Sequence, residues 1–136
     1  MNTDSPTLST RTKRILVVDD NADIRNLISL ILTNESFEVL ALESGVEFLE
    51  RVASFQPDLV LLDIMMPHLS GFEILEAVRA RSDSELGQVP IIMITAKSMD
   101  ADIEKALQLG ANSYLVKPFR AQALKEKVST HIGADS

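Results

Sequence analysis

Asp19 and Asp20 stand side by side at the end of the apolar run ILVV, residues 15–18. Asp63 closes a second run, DLVLLD; Thr95 closes a third, PIIMIT; Lys117 closes a fourth, SYLVK. Three carboxylates brought within a few ångströms of one another cannot all stay ionised without a counter-cation. An all-oxygen donor set selects a hard ion, and Mg2+ takes one or two carboxylates, keeps several waters and shares itself with phosphate. Lys117 and Thr95 fit the other half of such a clamp, an ammonium neutralising one phosphoryl oxygen and a hydroxyl donating to another. A carboxylate is also a competent nucleophile and can form an aspartyl-phosphate. Asp63 is the candidate, because it is flanked by the acid pair on one side and by the Thr/Lys pair on the other.

That chemistry requires distant positions to share one rim, and the rest of the sequence supplies a way. RILVV (14–18) reads as a first strand. Residues 21–34 follow as a helix, with Ile24, Leu27, Ile28 and Ile31 at helical spacing. FEVLAL (37–42) is a second strand. Ser44 and Glu47 have capping-box spacing and open a helix that buries Val46, Leu49, Val52 and Ala53 and ends before Pro57. DLVLLD (58–63) is a third strand, followed by the loop IMMPHLS and a helix carrying Phe72, Leu75 and Val78. Residues 79–88, with Arg79, Arg81, Asp83 and Glu85, read as a solvated helix end and loop. PIIMIT (90–95) is a fourth strand. A helix from Asp100 to Leu109 stops at Gly110, a fitting C′ residue. SYLVK (113–117) is the fifth strand, and Ala121, Leu124 and Val128 mark the last helix.

Strands apolar on both faces are buried parallel strands, and crossovers between them are right-handed. The alternation predicts an α/β, flavodoxin-like doubly wound (βα)5 sandwich, its five-stranded parallel sheet in the order 2-1-3-4-5. In such a sheet ligands bind beyond the carboxyl ends of the strands, near the switch point between strands one and three. Asp19, Asp20, Asp63, Thr95 and Lys117 all stand at those ends.

The chain has 136 residues, which suits one domain. Cys is absent, so disulfides and thiolate metal sites are excluded and a cytoplasmic setting is expected. No apolar run approaches the ~20 residues of a membrane helix, and the opening MNTDSPTLSTRTK has no signal-peptide core. Residues 1–13 read as a flexible leader, 14–132 as the domain and 133–136 as a short tail. The net charge of -7 disfavours phosphate backbones, so no direct nucleic-acid binding is expected; it suits a metal cation.

Taken together, the chain resembles the receiver domain of two-component response regulators. The resemblance is carried by Asp19-Asp20 after a strand, by Asp63, Met66, Pro67 and Gly71 in DIMMPHLSG, by Thr95-Ala96 after PIIMI, and by Lys117-Pro118 in LVKPF. Single pieces are weak; the full set in order, on the right strand ends, is specific. The resemblance implies that Asp63 accepts a phosphoryl group from a phosphohistidine. It also implies that Asp20 binds Mg2+ directly, Asp19 mostly through water, and Met65 through its backbone carbonyl. Thr95 and Lys117 would contact phosphoryl oxygens, Ala96 would follow the threonine, and the Lys117-Pro118 bond would be cis. Tyr114 matches an aromatic switch that rotates inward as Thr95 moves, remodelling the face made by helix four, strand five and helix five.

The implied partners are a histidine kinase or histidine phosphotransfer protein and a downstream protein target, with no membrane. The oligomer would be a monomer or weak dimer. The protein would be a phosphoacceptor signalling protein that assists its own phosphorylation and dephosphorylation, not an enzyme. The start at Met1 and the short end favour a stand-alone receiver. The alternatives are an excised receiver of a longer transcriptional regulator and a phosphorylation-independent interaction module. Met65 and Lys97, two residues after Asp63 and Thr95, offer no carboxylate or amide to position an attacking water, so a long-lived phospho-form is expected.

Each residue also has an ordinary reading. An Asp-Asp pair can be a solvated turn and helix cap; Thr95 can satisfy a backbone group; Lys117 can be a surface lysine; Tyr114 can simply pack. Register across four strand ends is what outweighs these. His68 and His131 carry no assigned role and read as surface residues. A phosphatase of the haloacid-dehalogenase type would need a second Asp two residues after its nucleophile, where Asn21 and Met65 stand here. A flavin carrier would need glycines and N–H groups in the first loop, which reads DDNAD. No G-x-x-x-x-G-K motif supports an NTPase.

Overall fold

Runs of leucine and β-branched residues bury both faces of a strand, and the sheet forms where those runs lie. The computed structural model describes residues 12–81, 85–96 and 100–132. Its strands are β1 (Arg14–Val18), β2 (Glu38–Leu42), β3 (Leu59–Asp63), β4 (Ile91–Thr95) and β5 (Ser113–Val116). They alternate with helices α1 (Ala22–Asn34), α2 (Gly45–Phe55), α3 (Gly71–Arg79), α4 (Asp100–Gln108) and α5 (Ala121–His131). Every strand pairing is parallel and the order is β2-β1-β3-β4-β5, as the sequence predicts. Phe37, Asp58, Pro90 and Lys117, which the sequence reading included in strands, fall just outside the observed ones.

Period-two alternation sends each strand's residues to two separate cores. Leu16, Val18, Val60, Leu62 and Met93 pack with Phe48, Val52, Ile74 and Leu75 of α2 and α3 on one face. Ile15, Val17, Leu61 and Ile94 pack with Ile28, Leu32, Leu124 and Val128 of α1 and α5 on the other. Every residue of β3 and β4 is buried. Parallel pairing brings all the carboxyl ends to one rim, with Val18 level with Leu62, Asp63 with Ile94 and Thr95 with Val116.

Three local expectations need correction. In α2 only Val52 of the four residues expected inside is buried; Val46, Leu49 and Ala53 are exposed, and Phe48 takes the inner face. Gly45 sets that rotation, because a Cβ there would lie 2.6 Å from Ile74 Cδ1 and 2.9 Å from Leu69 Cδ2. The helix therefore rolls its residue without a side chain, and with it Phe48 and Val52, against α3. Smaller departures of the same kind leave Leu27 and Ala121 exposed, with Leu32 buried in α1.

The second correction concerns capping. Ser44 accepts from Glu47 N at 3.2 Å, but the Glu47 carboxylate accepts from Glu43 N, so the reciprocal box is not closed. It is closed instead at Ser70 and Glu73, which open α3. The third concerns residues 79–88. Arg79 is not a solvated helix end: it donates to Gly110 O at 2.9 Å, Gly87 O at 3.0 Å and Asn112 Oδ1 at 2.9 Å. Burial pushes its guanidinium pKa down. Residues 85–88 form a 3-10 turn, and Asp83 lies outside the described residues.

Gly71 starts α3 directly against the backbone of β3. Its N–H donates to Ile64 O at 2.9 Å. A Cβ there would strike the Asp63 carbonyl oxygen and lie 2.9 Å from Ile64 Cα. Neither atom is the movable end of a side chain. Gly71→Ala is therefore expected to lose about 1–3 kcal/mol by overpacking, although alanine has the better helix propensity. The measurement is a urea midpoint with unchanged slope; an unchanged midpoint would mean that α3 slides away freely.

Candidate functional site

Asp19 directly follows β1 and is fully buried, whereas Asp20 is exposed. The turn from β1 into α1 is fixed from both sides. Asn21 caps α1 by accepting from Ile24 N at 3.1 Å, and its own N–H donates to Asp19 Oδ1 at 2.9 Å. Arg25, one turn into α1, donates to the Asp19 carbonyl at 2.8 Å. Asp19 Oδ2 has no aligned hydrogen bond; its counter-charge is Lys117 Nζ at 3.1 Å.

Asp63 ends β3 and is 3 % exposed. Its Oδ1 accepts from Met65 N at 3.3 Å, and Lys117 Nζ lies 3.8 Å from its Oδ2. Carboxylate oxygens of Asp19, Asp20 and Asp63 lie within 4.8 Å of one another. Burial pushes the Asp63 carboxyl up to about 7, and the neighbouring Asp19 charge pushes the same way, with a smaller push from Asp20. Lys117 and the Met65 N–H oppose them without cancelling the rise.

This donor set fits a hard divalent cation. Three carboxylates face one ammonium, so the cluster is short of positive charge, and a buried oxygen of Asp19 lacks an aligned donor. Oxygen donors without sulfur or imidazole are the preference of such ions.

Thr95 ends β4 and is 3 % exposed. Its carbonyl accepts from Lys117 N at 2.7 Å, tying the end of β4 to the turn after β5. The Lys117-Pro118 bond is cis, and both Pro118 and Ala96 are exposed. Met65 extends its side chain into solvent, 68 % exposed, while Met66 packs on the α2–α3 core. Tyr114 stands on β5 level with Met93 of β4, partly buried against the same core. His68 is exposed and His131 half-buried. Lys97, residues 1–11 of the leader and residues 133–136 lie outside the described residues.

Sequence reasoning overlooked Arg25, whose signal was its place one turn after the Asn21 cap. It also overlooked Ser113 and Lys127, which meet at 2.8 Å behind Tyr114; a lysine on a helix near its solvated face carried no signal.

Residues 15–129 match the family described as response regulator receiver domain. The chain is 36% identical over 125 residues to the DNA-binding response regulator MtrA of Mycobacterium tuberculosis, covering 92% of this chain and 53% of that protein. It thus spans about half the length of that relative. It is 39% identical over 124 residues to the chemotaxis protein CheY1 of Helicobacter pylori, covering 90% of this chain and 98% of that one. Among solved structures it resembles Vibrio cholerae CheY4, with a TM-score of 0.83 at 30% identity over 89% of this chain and 99% of that one. A CheY-like receiver from Methanospirillum hungatei superposes with a TM-score of 0.81 at 30% identity, covering 90% and 94%.

Proposed function

The chain belongs to the response regulator receiver family of two-component phosphorelay signalling, and on that premise we propose that Asp63 is its phosphoacceptor. The observation that carries the assignment is a buried Asp63 carboxylate with Asp19 and Asp20 beside it and the Lys117 ammonium 3.8 Å away. A phosphohistidine of a histidine kinase or histidine phosphotransfer protein is the donor. The Asp63 carboxylate attacks phosphorus, the P–N bond breaks and the imidazole leaves.

Asp19, Asp20, Asp63 and the Met65 carbonyl would hold Mg2+, which when bound neutralises charge on the transferring phosphoryl oxygens. Lys117 bridges Asp19 and Asp63 and is placed to move onto a phosphoryl oxygen as it arrives, since the new dianion outcompetes a carboxylate for the ammonium. The Thr95 hydroxyl donates to a second phosphoryl oxygen. Its shift makes room for Tyr114 to turn inward, and the face formed by α4, β5 and α5 changes shape for a downstream protein. The phosphoryl group then acts as a ligand that biases two arrangements differing by only a few kcal/mol.

Among the described residues no helix is long and apolar enough to cross a membrane. One second reading has a specific support: relatives about twice as long are named DNA-binding response regulators, so the same switch would govern a longer regulator.

Intact mass after incubation with Mg2+ and a small acyl phosphate tests the proposal. One added phosphoryl group is expected, absent in Asp63→Asn and with EDTA. No addition, where Mg2+ demonstrably binds, would leave a phosphorylation-independent interaction module.

A further inference from the structure

Lys127 on α5 reaches over the outer strand of the sheet and meets two consecutive residues at once. Its Nζ is 2.8 Å from Ser113 Oγ and 5.2 Å from the centroid of the Tyr114 ring. Side chains of consecutive strand residues point to opposite faces. An ammonium that touches both must sit astride the edge of β5, which has no strand beyond it among the described residues. Ser113 is 8% exposed and buried on the α5 side of the strand, so the hydrogen bond anchors the ammonium there. Lys127 itself is half-buried, and partial desolvation strengthens the attraction of a cation for a ring face.

An inward turn of Tyr114, as proposed above, would carry the ring away from this ammonium. The contact therefore belongs to one arrangement only. We propose that Lys127 is a positioning residue that holds the Tyr114 ring at the sheet edge in the unphosphorylated protein and so sets how readily the receiver switches. This rests on the reading of Asp63 as phosphoacceptor and Tyr114 as the moving ring. A contact made in one of two states shifts their balance by its full worth. A partly exposed cation–ring contact corresponds to about a two- to fivefold change in that balance.

The chain has one Tyr and no Trp, so its intrinsic ultraviolet fluorescence follows Tyr114 with little interference. Two variants separate charge from bulk: Lys127→Met keeps the stem and removes the cation, and Lys127→Arg keeps a cation. Acrylamide quenching of the tyrosine is measured without metal or phosphodonor, and phosphoryl uptake from a small acyl phosphate is measured with Mg2+. Lys127→Met is expected to make Tyr114 easier to quench and to speed uptake about two- to fivefold. Lys127→Arg should stay near the natural protein in both. In a Tyr114→Ala background Lys127→Met should change uptake no further.

Unchanged uptake in Lys127→Met, with the natural protein taking up phosphate normally, would overturn the positioning role alone. Faster uptake that persists in the Tyr114→Ala background would overturn it too, since Lys127 would then act by another route. No uptake by the natural protein would overturn the Asp63 reading and this role with it, while the quenching measurement would still report on the contact.

Discussion

Lys117→Met is expected to lower the stability of the metal-free protein by about 2–4 kcal/mol at pH 8, a cost typical of stripping the counter-charge from a buried carboxylate. The ammonium lies 3.1 Å from Asp19 and 3.8 Å from Asp63, and both carboxylates are almost wholly buried. Methionine fills the space but leaves the three acids facing one another. The loss should shrink as pH falls toward about 7, because without the ammonium Asp63 takes up its proton at a higher pH than it does beside Lys117, and one of the repelling charges disappears. Excess Mg2+ should also restore the stability, since a divalent cation supplies the missing charge. Phosphoryl uptake should fall about 10²–10³-fold even at saturating Mg2+, the usual cost of removing one preorganised charge from a site of developing negative charge. Urea unfolding at pH 8 and pH 5.5, with and without Mg2+, checks the first part and intact mass against time the second. A stability loss that is the same at both pH values and indifferent to Mg2+ would show that the lysine stabilises by packing rather than by charge.

The rim of the sheet was legible because each strand is an apolar run that stops at a polar residue. Asp19, Asp63 and Thr95 announce themselves as the first interruptions of those runs, and parallel order does the rest. What residue types alone could not show was which of Asp19 and Asp20 is buried. Adjacent carboxylates look alike on paper, yet one is sealed beneath Lys117 and the other faces solvent. The rotation of α2 was hidden because it depends on a glycine meeting Ile74 from another helix. Periodicity alone cannot say which of two overlapping apolar stripes, Val46-Leu49-Ala53 or Phe48-Val52, turns inward. Arg79 was hidden for a different reason: two of its three partners are main-chain carbonyls, which every residue carries and no pattern of side-chain types reveals. Lys127 combines both difficulties, since its neighbours meet it only after the last helix folds back over the sheet edge.

Asp63 should make the metal-free protein lose stability as pH rises from about 4 to about 7, the reverse of an ordinary paired carboxylate. In the unfolded chain its pKa is the usual 3.8, whereas burial and the Asp19 charge hold it at about 7 in the fold. Between those values the folded protein keeps a proton that the unfolded chain has released, so stability falls with pH at up to about 1.4 kcal/mol per unit. This contribution is fully present below 3.8 and gone above about 7. Other acids titrate in the same range, and Asp63→Asn removes them from the comparison because its amide cannot ionise. The variant should nearly match the natural protein at pH 4 and exceed it by about 4 kcal/mol at pH 8. Addition of Mg2+ should narrow or reverse that gap, since the carboxylate is the better ligand. Below about 7 the cation must also displace the Asp63 proton, so its apparent dissociation constant should weaken about tenfold per pH unit and level off above. Urea unfolding across pH 4.5–8.5 and calorimetric Mg2+ titration at the same pH values are the measurements. A gap between variant and natural protein that stays flat over this range would mean that Asp63 is ionised throughout. Loss of the same proton makes Asp63 a nucleophile, so at sub-saturating Mg2+ phosphoryl uptake and cation affinity should follow one pH profile, rising together to a plateau above about 7.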